Sequence, residues 1–142
     1  MKEKLNDTLG LIREAVAPTN FTAQYWQATC DKKLLLQFCR RTNRFQHYPR
    51  PASSYTGHRD LEWRESSGRG EIYSYTIMRR IRGAFHAVVP FAIAAVKLDE
   101  GVVLIANLIN AAEDEIVIGM RVKPSWAPLP DGRNLLMFEP DI

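Results

Sequence analysis

The chain reads as a mainly β protein, a small barrel or sandwich entered through N-terminal helices and a polar hairpin region. Three observations predict this. Runs of β-branched, aromatic and apolar residues recur from Leu61 to Phe138 with no helical pattern between them. Glycine-bearing turns such as Ser67-Gly68-Arg69-Gly70, Asp99-Glu100-Gly101 and Asp131-Gly132 punctuate those runs. Upstream, the apolar spacing is near-helical instead, and the two regimes meet in a polar, proline-containing stretch.

Taken in order, residues from about Asp7 to Ala17 place Leu9, Ile12, Arg13 and Val16 at near-helical spacing. Asn6 or Asp7 can cap that helix and Pro18 ends it. A second short helix is expected after Pro18-Thr19-Asn20, carrying Phe21, Tyr25 and Trp26. Phe21 and Tyr25 then share one face, whose ordinary role is packing against the next layer. Lys33 to Phe38 reads as a strand leading into Cys39, followed to about Asp60 by two tight hairpins with little core of their own.

Strands are expected at Leu61–Glu65, Glu71–Met78, Pro90–Leu98, Val102–Ile109, Ile116–Val122 and Leu135–Phe138. The glycines at 68 and 70 allow a positive φ or a close backbone approach. The resulting division is 1–32 for the helices, 33–60 for the hairpin region and 61–142 for the barrel.

A chain of 142 residues can bury a proper core without a metal or a disulfide. Hydrophobic content of 46% and charged content of 25% match an ordinary globular domain, which excludes a disordered or fibrous reading. No apolar run reaches the roughly 18 residues of a membrane span. The start, Met1-Lys2-Glu3-Lys4-Leu5-Asn6-Asp7, lacks an apolar signal core. With only Cys30 and Cys39 present, a cytoplasmic protein without a disulfide is expected. A net charge of +3 is compatible with phosphate-bearing ligands, acidic partners or nucleic acid, and selects none.

The hairpin region has a ligand-site pattern with its ligands replaced. At zinc-ribbon spacing the four slots are Cys39, Thr42, Ser53 and Thr56. A structural zinc site uses thiolates or imidazoles, and hydroxyls stay protonated near neutral pH. The ribbon is therefore expected to be metal-free, its hairpins held by packing that involves Phe38, Phe45, Tyr48 and Tyr55 or by a partner subunit. Cys39, His47 and His58 could in principle form another site, but their spacing is irregular and a fourth ligand is lacking.

In order and spacing the chain resembles a known family. The segments that carry the resemblance are "LEWRESSGRGEIYSYT", "FHAVVPFAIAAVKLDEGVVLIANLI" and "IVIGMRV", preceded by a Leu-rich strand and the ribbon slots. The resemblance, covering about Ala23 to Phe138, is to the bacterial and archaeal acyl-CoA-associated OB-fold family, which carries a rubredoxin-like zinc ribbon before the barrel. It implies a five-stranded OB barrel and no catalytic residues of its own. It also implies partnership with a thiolase-like enzyme or a hydratase, with acyl-CoA near the shared interface. The departure is the ribbon, where family members carry four cysteines and this chain keeps Cys39 alone.

Two basic clusters are candidate contacts. Arg40, Arg41, Arg44 and Arg50 lie in the hairpin region, where guanidinium forks suit phosphates or a partner's carboxylates. Arg79, Arg80 and Arg82 lie beside the loop carrying Phe85 and His86, on a barrel face where ligands or partners dock. The ordinary alternative for both is solvated charge. No GxSxG, P-loop, GxGxxG or HExxH is present, and His86 has no nucleophile beside it. The expected function is a non-catalytic accessory subunit of an acyl-CoA enzyme complex, needing no cofactor and no metal. Two alternatives are a stand-alone acyl-CoA binder and a binder of single-stranded nucleic acid using Tyr73, Tyr75 and Arg79.

Overall fold

The computed structural model describes residues 2–11 and 13–142. Its strands fall into two groups. A three-stranded antiparallel sheet contains β1 (Leu34–Cys39) between β2 (Arg44–Gln46) and β3 (Leu61–Ser66). A closed barrel contains β4 (Gly70–Met78), β5 (Phe91–Leu98), β6 (Val103–Leu108), β7 (Arg121–Pro128) and β8 (Asn134–Pro140), in the order β4-β5-β6-β8-β7. Pairing of Gly70 with Val122 closes the ring. The expected five-stranded OB barrel is the observed one. No helix among the described residues is long and apolar enough to cross a membrane.

Alternation builds the barrel core. Ala92, Ala94, Val96 and Leu98 of β5 point inward, opposite Leu104 and Leu108 of β6, with Ile72, Val122 and Phe138 completing the cluster. Leu34 and Leu36 of β1 belong to the same cluster, so the small sheet is fused to the barrel rather than tethered to it. The turn at 67–70 behaves as its glycines require. Gly68 sits at φ +74, and a Cβ on Gly70 would lie 2.3 Å from the Lys97 carbonyl oxygen.

Three expectations are corrected. Among the described residues, 7–17 form no helix, and Ile12 lies outside those described. The residues just ahead of that segment spend their backbone bonds on the barrel side of the chain. Lys4 bridges Ala112, Leu5 N–H donates to the Ala111 carbonyl, and Asn6 N–H donates to that of Pro90. Thr8 then turns the chain at φ +61, and the buried Arg133 donates to the Val16 carbonyl at 2.6 Å, strapping the arm down. Among the described residues one α-helix, α1 (Ala23–Thr29), is present; Phe21 precedes it and is exposed, so of the three expected aromatics Tyr25 and Trp26 reach the interior face.

The second correction concerns Leu61–Ser66, placed at the head of the barrel by the division at residue 61. It pairs along β1 from Leu34↔Ser66 to Cys39↔Leu61. The third concerns Ile116–Val122, where Gly119 at φ +89 makes a turn and the strand starts only at Arg121. That strand runs through Pro124, which strand patterning disfavours. Beyond Val122, β7 has lost its β4 neighbour and pairs only with β8, so the missing N–H faces a free edge.

Candidate functional site

Of the four ribbon slots, Cys39, Thr42 and Ser53 come together around the Cys39 thiol, and Thr56 does not join them. Cys39 is buried, and the Ser53 hydroxyl donates to its Sγ at 3.1 Å. Thr42 closes the other side; its buried Oγ1 has no other partner among the described residues. Ser53 first, then Thr42, together with the backbone N–H groups of Thr42 and Arg41, holds the thiol down to about 7 against the opposing effect of burial. Thr56 is exposed and accepts from the His58 N–H at 3.1 Å. One thiol and three hydroxyls do not suit zinc. His47 lies instead against Tyr25 and Tyr48, with ring centroids 5.7 and 4.3 Å away, and no group of three metal-binding side chains forms among the described residues.

Buried amides do the stitching in this region. Gln46 donates to the Gln37 side-chain oxygen at 2.7 Å, and that oxygen also accepts from the Arg50 N–H at 2.8 Å. Gln37 donates back to the Arg50 carbonyl at 2.8 Å, while Gln46 accepts from the Ser54 N–H at 2.8 Å. Both glutamines are buried, and the bond between them is made away from water. Around this network Phe38 stacks near Phe45 at 4.9 Å, and the Tyr55 hydroxyl donates to the Phe45 carbonyl.

The predicted contact residues are dispersed. Arg40 pairs with Glu62 at 3.0 Å, and Arg44 lies over the Tyr55 ring at 5.3 Å. Arg41 is exposed, and Arg50 contributes its backbone to the glutamine network. Tyr73 and Tyr75 lie on β4, with Tyr73 61% exposed. Arg79 pairs with Glu113, Arg80 and Arg82 are exposed, and Phe85 packs on Phe91 with exposed His86 beside it. The arginines do not converge on one pocket.

A cavity among the described residues was not visible in the sequence. Among the described residues the β6–β8 ladder is a single parallel pair, Leu108↔Phe138. Away from that pair a cavity of about 390 Å³ lies between Leu104–Ala106 of β6 and Leu135–Leu136 of β8. Tyr25 and Trp26 of α1 form another wall, and His47, Tyr48 and Pro49 a third. The Ile105 N–H, on the open side of β6, donates to the Tyr48 hydroxyl at 3.3 Å. A second cavity of about 330 Å³ continues past the shared residues Val16, Trp26 and Leu135 toward Arg13, Glu14 and Phe85. Burial pushes His47 down to about 4 and the Tyr25 hydroxyl up to about 12, the latter helped by Tyr48, so the walls are uncharged at pH 7. His47 Nδ1 is buried with no partner among the described residues. Helix and barrel are held together behind the cavity by the Asn134 amide, which donates to the Thr29 carbonyl at 2.8 Å.

Comparison with known proteins fits this architecture. The family described as the ChsH2 C-terminal OB-fold domain matches residues 63–127. A DUF35 domain-containing scaffold protein of Pyrococcus furiosus is 30% identical over 101 residues, 71% of this chain and 74% of the relative. A probable enoyl-CoA hydratase alpha subunit of Thermomonospora curvata is 30% identical over 132 residues; the chain spans 41% of that relative's length. Among solved structures, one titled Ltp2-ChsH2(DUF35) aldolase superposes with a TM-score of 0.80 at 29% identity, covering 90% of this chain and all of the other. On the fold and on these matches, the chain belongs to DUF35, the acyl-CoA-associated OB-fold family.

Proposed function

We propose that this protein is a non-catalytic accessory subunit of an acyl-CoA enzyme complex, holding a larger partner such as a thiolase-like enzyme or a hydratase. The observation that carries the reading is the match of 90% of the chain to the whole of one chain in a structure titled as an aldolase. The scaffold and hydratase alpha-subunit names of its relatives point the same way.

The surface offers a place for such a partner. Val117 and Ile118 form an exposed apolar tip, 57% and 63% accessible. Two backbone bonds, Ile72 N–H to the Met120 carbonyl and Gly119 N–H to that of Ile72, set Tyr73 beside the tip. Clustered apolar residues left in water at a barrel end fit a protein interface better than solvated surface. The oligonucleotide alternative loses one of its cations, since Arg79 is paired with Glu113.

Affinity capture of the tagged chain from its host tests the proposal. Stoichiometric recovery of an acyl-CoA enzyme, weakened by Ile118→Asp, is the expected result. Acyl-transfer, aldolase or hydratase turnover by the isolated chain would overturn the non-catalytic assignment.

A further inference from the structure

The β6–β8 seam leaves the edges of two strands unpaired. The Ile105 N–H donates to the Tyr48 hydroxyl, so the backbone polar groups of Ile105 point away from β5. Strand alternation turns those of Val103 the same way. On β8, the Arg133 carbonyl accepts from the Leu129 N–H on the β7 side. One residue on, the Asn134 N–H donates to the Thr29 hydroxyl on the opposite side, where the Phe138 carbonyl accepts from Ile109. Leu136, midway between Asn134 and Phe138, therefore faces the seam. Because β6 and β8 share one pair, the Leu136 N–H and C=O and the Ile105 C=O have no backbone partner among the described residues. The side chains around these groups are apolar or aromatic, Tyr25, Trp26, Leu104 and Leu135 among them. Unpaired strand edges are templates for a further strand.

Tyr48 marks how such an edge is used. Its hydroxyl oxygen stands where a neighbouring strand would place a carbonyl, through a bond of 3.3 Å, and the residue is 52% exposed. We infer that the seam binds an extended peptide of uncharged residues, which adds to the free edge of β6 with a carbonyl replacing the Tyr48 hydroxyl on Ile105. Main-chain bonds then supply affinity, and alternate side chains enter the cavity between Trp26 and Leu135. The unpaired groups decide the class of occupant. They are main-chain donors and acceptors spaced as in a strand, and a hydrocarbon would leave every one of them unsatisfied. An anionic group would meet apolar walls with no Lys or Arg among the residues lining them. A helix, about 10–12 Å across with its side chains, does not fit the roughly 390 Å³ of the cavity. The inference rests on the accessory-subunit reading only for the source of the peptide, a segment of the partner enzyme.

NMR titration of the intact, nitrogen-labelled chain with the capped peptide acetyl-Ser-Val-Thr-Val-Ser-amide tests the inference. Saturable shifts centred on the Ile105 and Leu136 amides are expected. The same peptide N-methylated at its backbone amides keeps its side chains but loses its donors, and should bind at least tenfold more weakly. Ile105→Pro removes the donor on the free side of β6 and leaves the β5 ladder intact, so it should weaken binding at least tenfold. Tyr48→Ala, which vacates the edge, should tighten binding several-fold. No saturable shift at those two amides, or equal binding of the N-methylated peptide, overturns the inference without recourse to any variant. Saturable binding of decanol but not of the peptide, or self-association that Ile105→Pro abolishes, overturns it too, by placing a hydrocarbon or a second copy in the seam. Capture of a partner enzyme without peptide binding would sink this inference alone. Peptide binding without any captured enzyme would sink the subunit reading and leave the site standing.

Discussion

The small sheet and the barrel are built on opposite principles, although they share one chain and one core cluster. The barrel is held by apolar burial, with Ile72, Ala92, Ala94, Val96, Val122 and Phe138 fully enclosed. The sheet encloses Gln37, Gln46 and Ser53 beside Cys39, and holds its loops through amide and hydroxyl hydrogen bonds. Apolar burial is non-directional and tolerates a repacked neighbour, whereas a buried polar network depends on each member. A hairpin region whose slots hold one thiol and three hydroxyls therefore has its loops tied to buried amides as their fixed centre.

The sharpest way to break the comparison is in the barrel. Phe138→Ala removes a fully buried ring from the point where β6 meets β8, and should cost about 3–5 kcal/mol. Chemical denaturation should show one cooperative transition moved far to lower denaturant. A loss confined to β8 would mean that the barrel does not unfold as one cooperative unit.

His47 supplies the next largest effect, through pH. Its ordinary value is 6.5 and burial lowers it to about 4 in the folded chain. Between those values the unfolded chain takes up a proton that the folded chain refuses, so stability falls as pH drops from about 6.5 toward 4. The full effect is about 2–3 kcal/mol, and stability is recovered above the unfolded value. Denaturation midpoints measured across this range should slope less in His47→Phe than in the parent. An unchanged slope would mean that His47 is solvated.

Gln37→Leu attacks the sheet in its own terms. It leaves the Gln46 amide and the Arg50 backbone without their partner, at a cost of about 1–3 kcal/mol. Hydrogen exchange should speed up in residues 44–54 while the amides of β5 and β6 keep their protection. The smallest effect should come from Arg121→Ala. Its bidentate pair with Asp99, at 2.8 and 3.0 Å, is solvent-exposed, so the denaturation midpoint should stay within error.

Local pattern carried most of the barrel. Alternation in Phe91–Leu98, the Asp99-Glu100-Gly101 turn and the glycines at 68 and 70 each act over a few residues, and each is legible without knowing what lies opposite. The ribbon slots were legible for the same reason, since Cys39 to Thr42 is a local spacing. The arm at 7–17 misled because helical spacing is a weak signal once backbone partners compete for the same donors. Just ahead of it, Leu5 and Asn6 donate to Ala111 and Pro90, over eighty residues away, and tie the entry to the arm in an extended course. The strand through Pro124 was hidden because an edge is a property of the assembled sheet.

By itself the sequence determined a mainly β chain, an OB barrel and the family to which it belongs. Only the tertiary structure decided which residues form a cavity. Tyr25, His47, Ile105 and Leu135 come from a helix, a loop and two strands, and no spacing links them. Their meeting depends on how far β6 and β8 splay beyond Leu108 and Phe138 and on the docking of Thr29 against Asn134. Those are long-range contacts, fixed when the whole core closes rather than by any local run of residues.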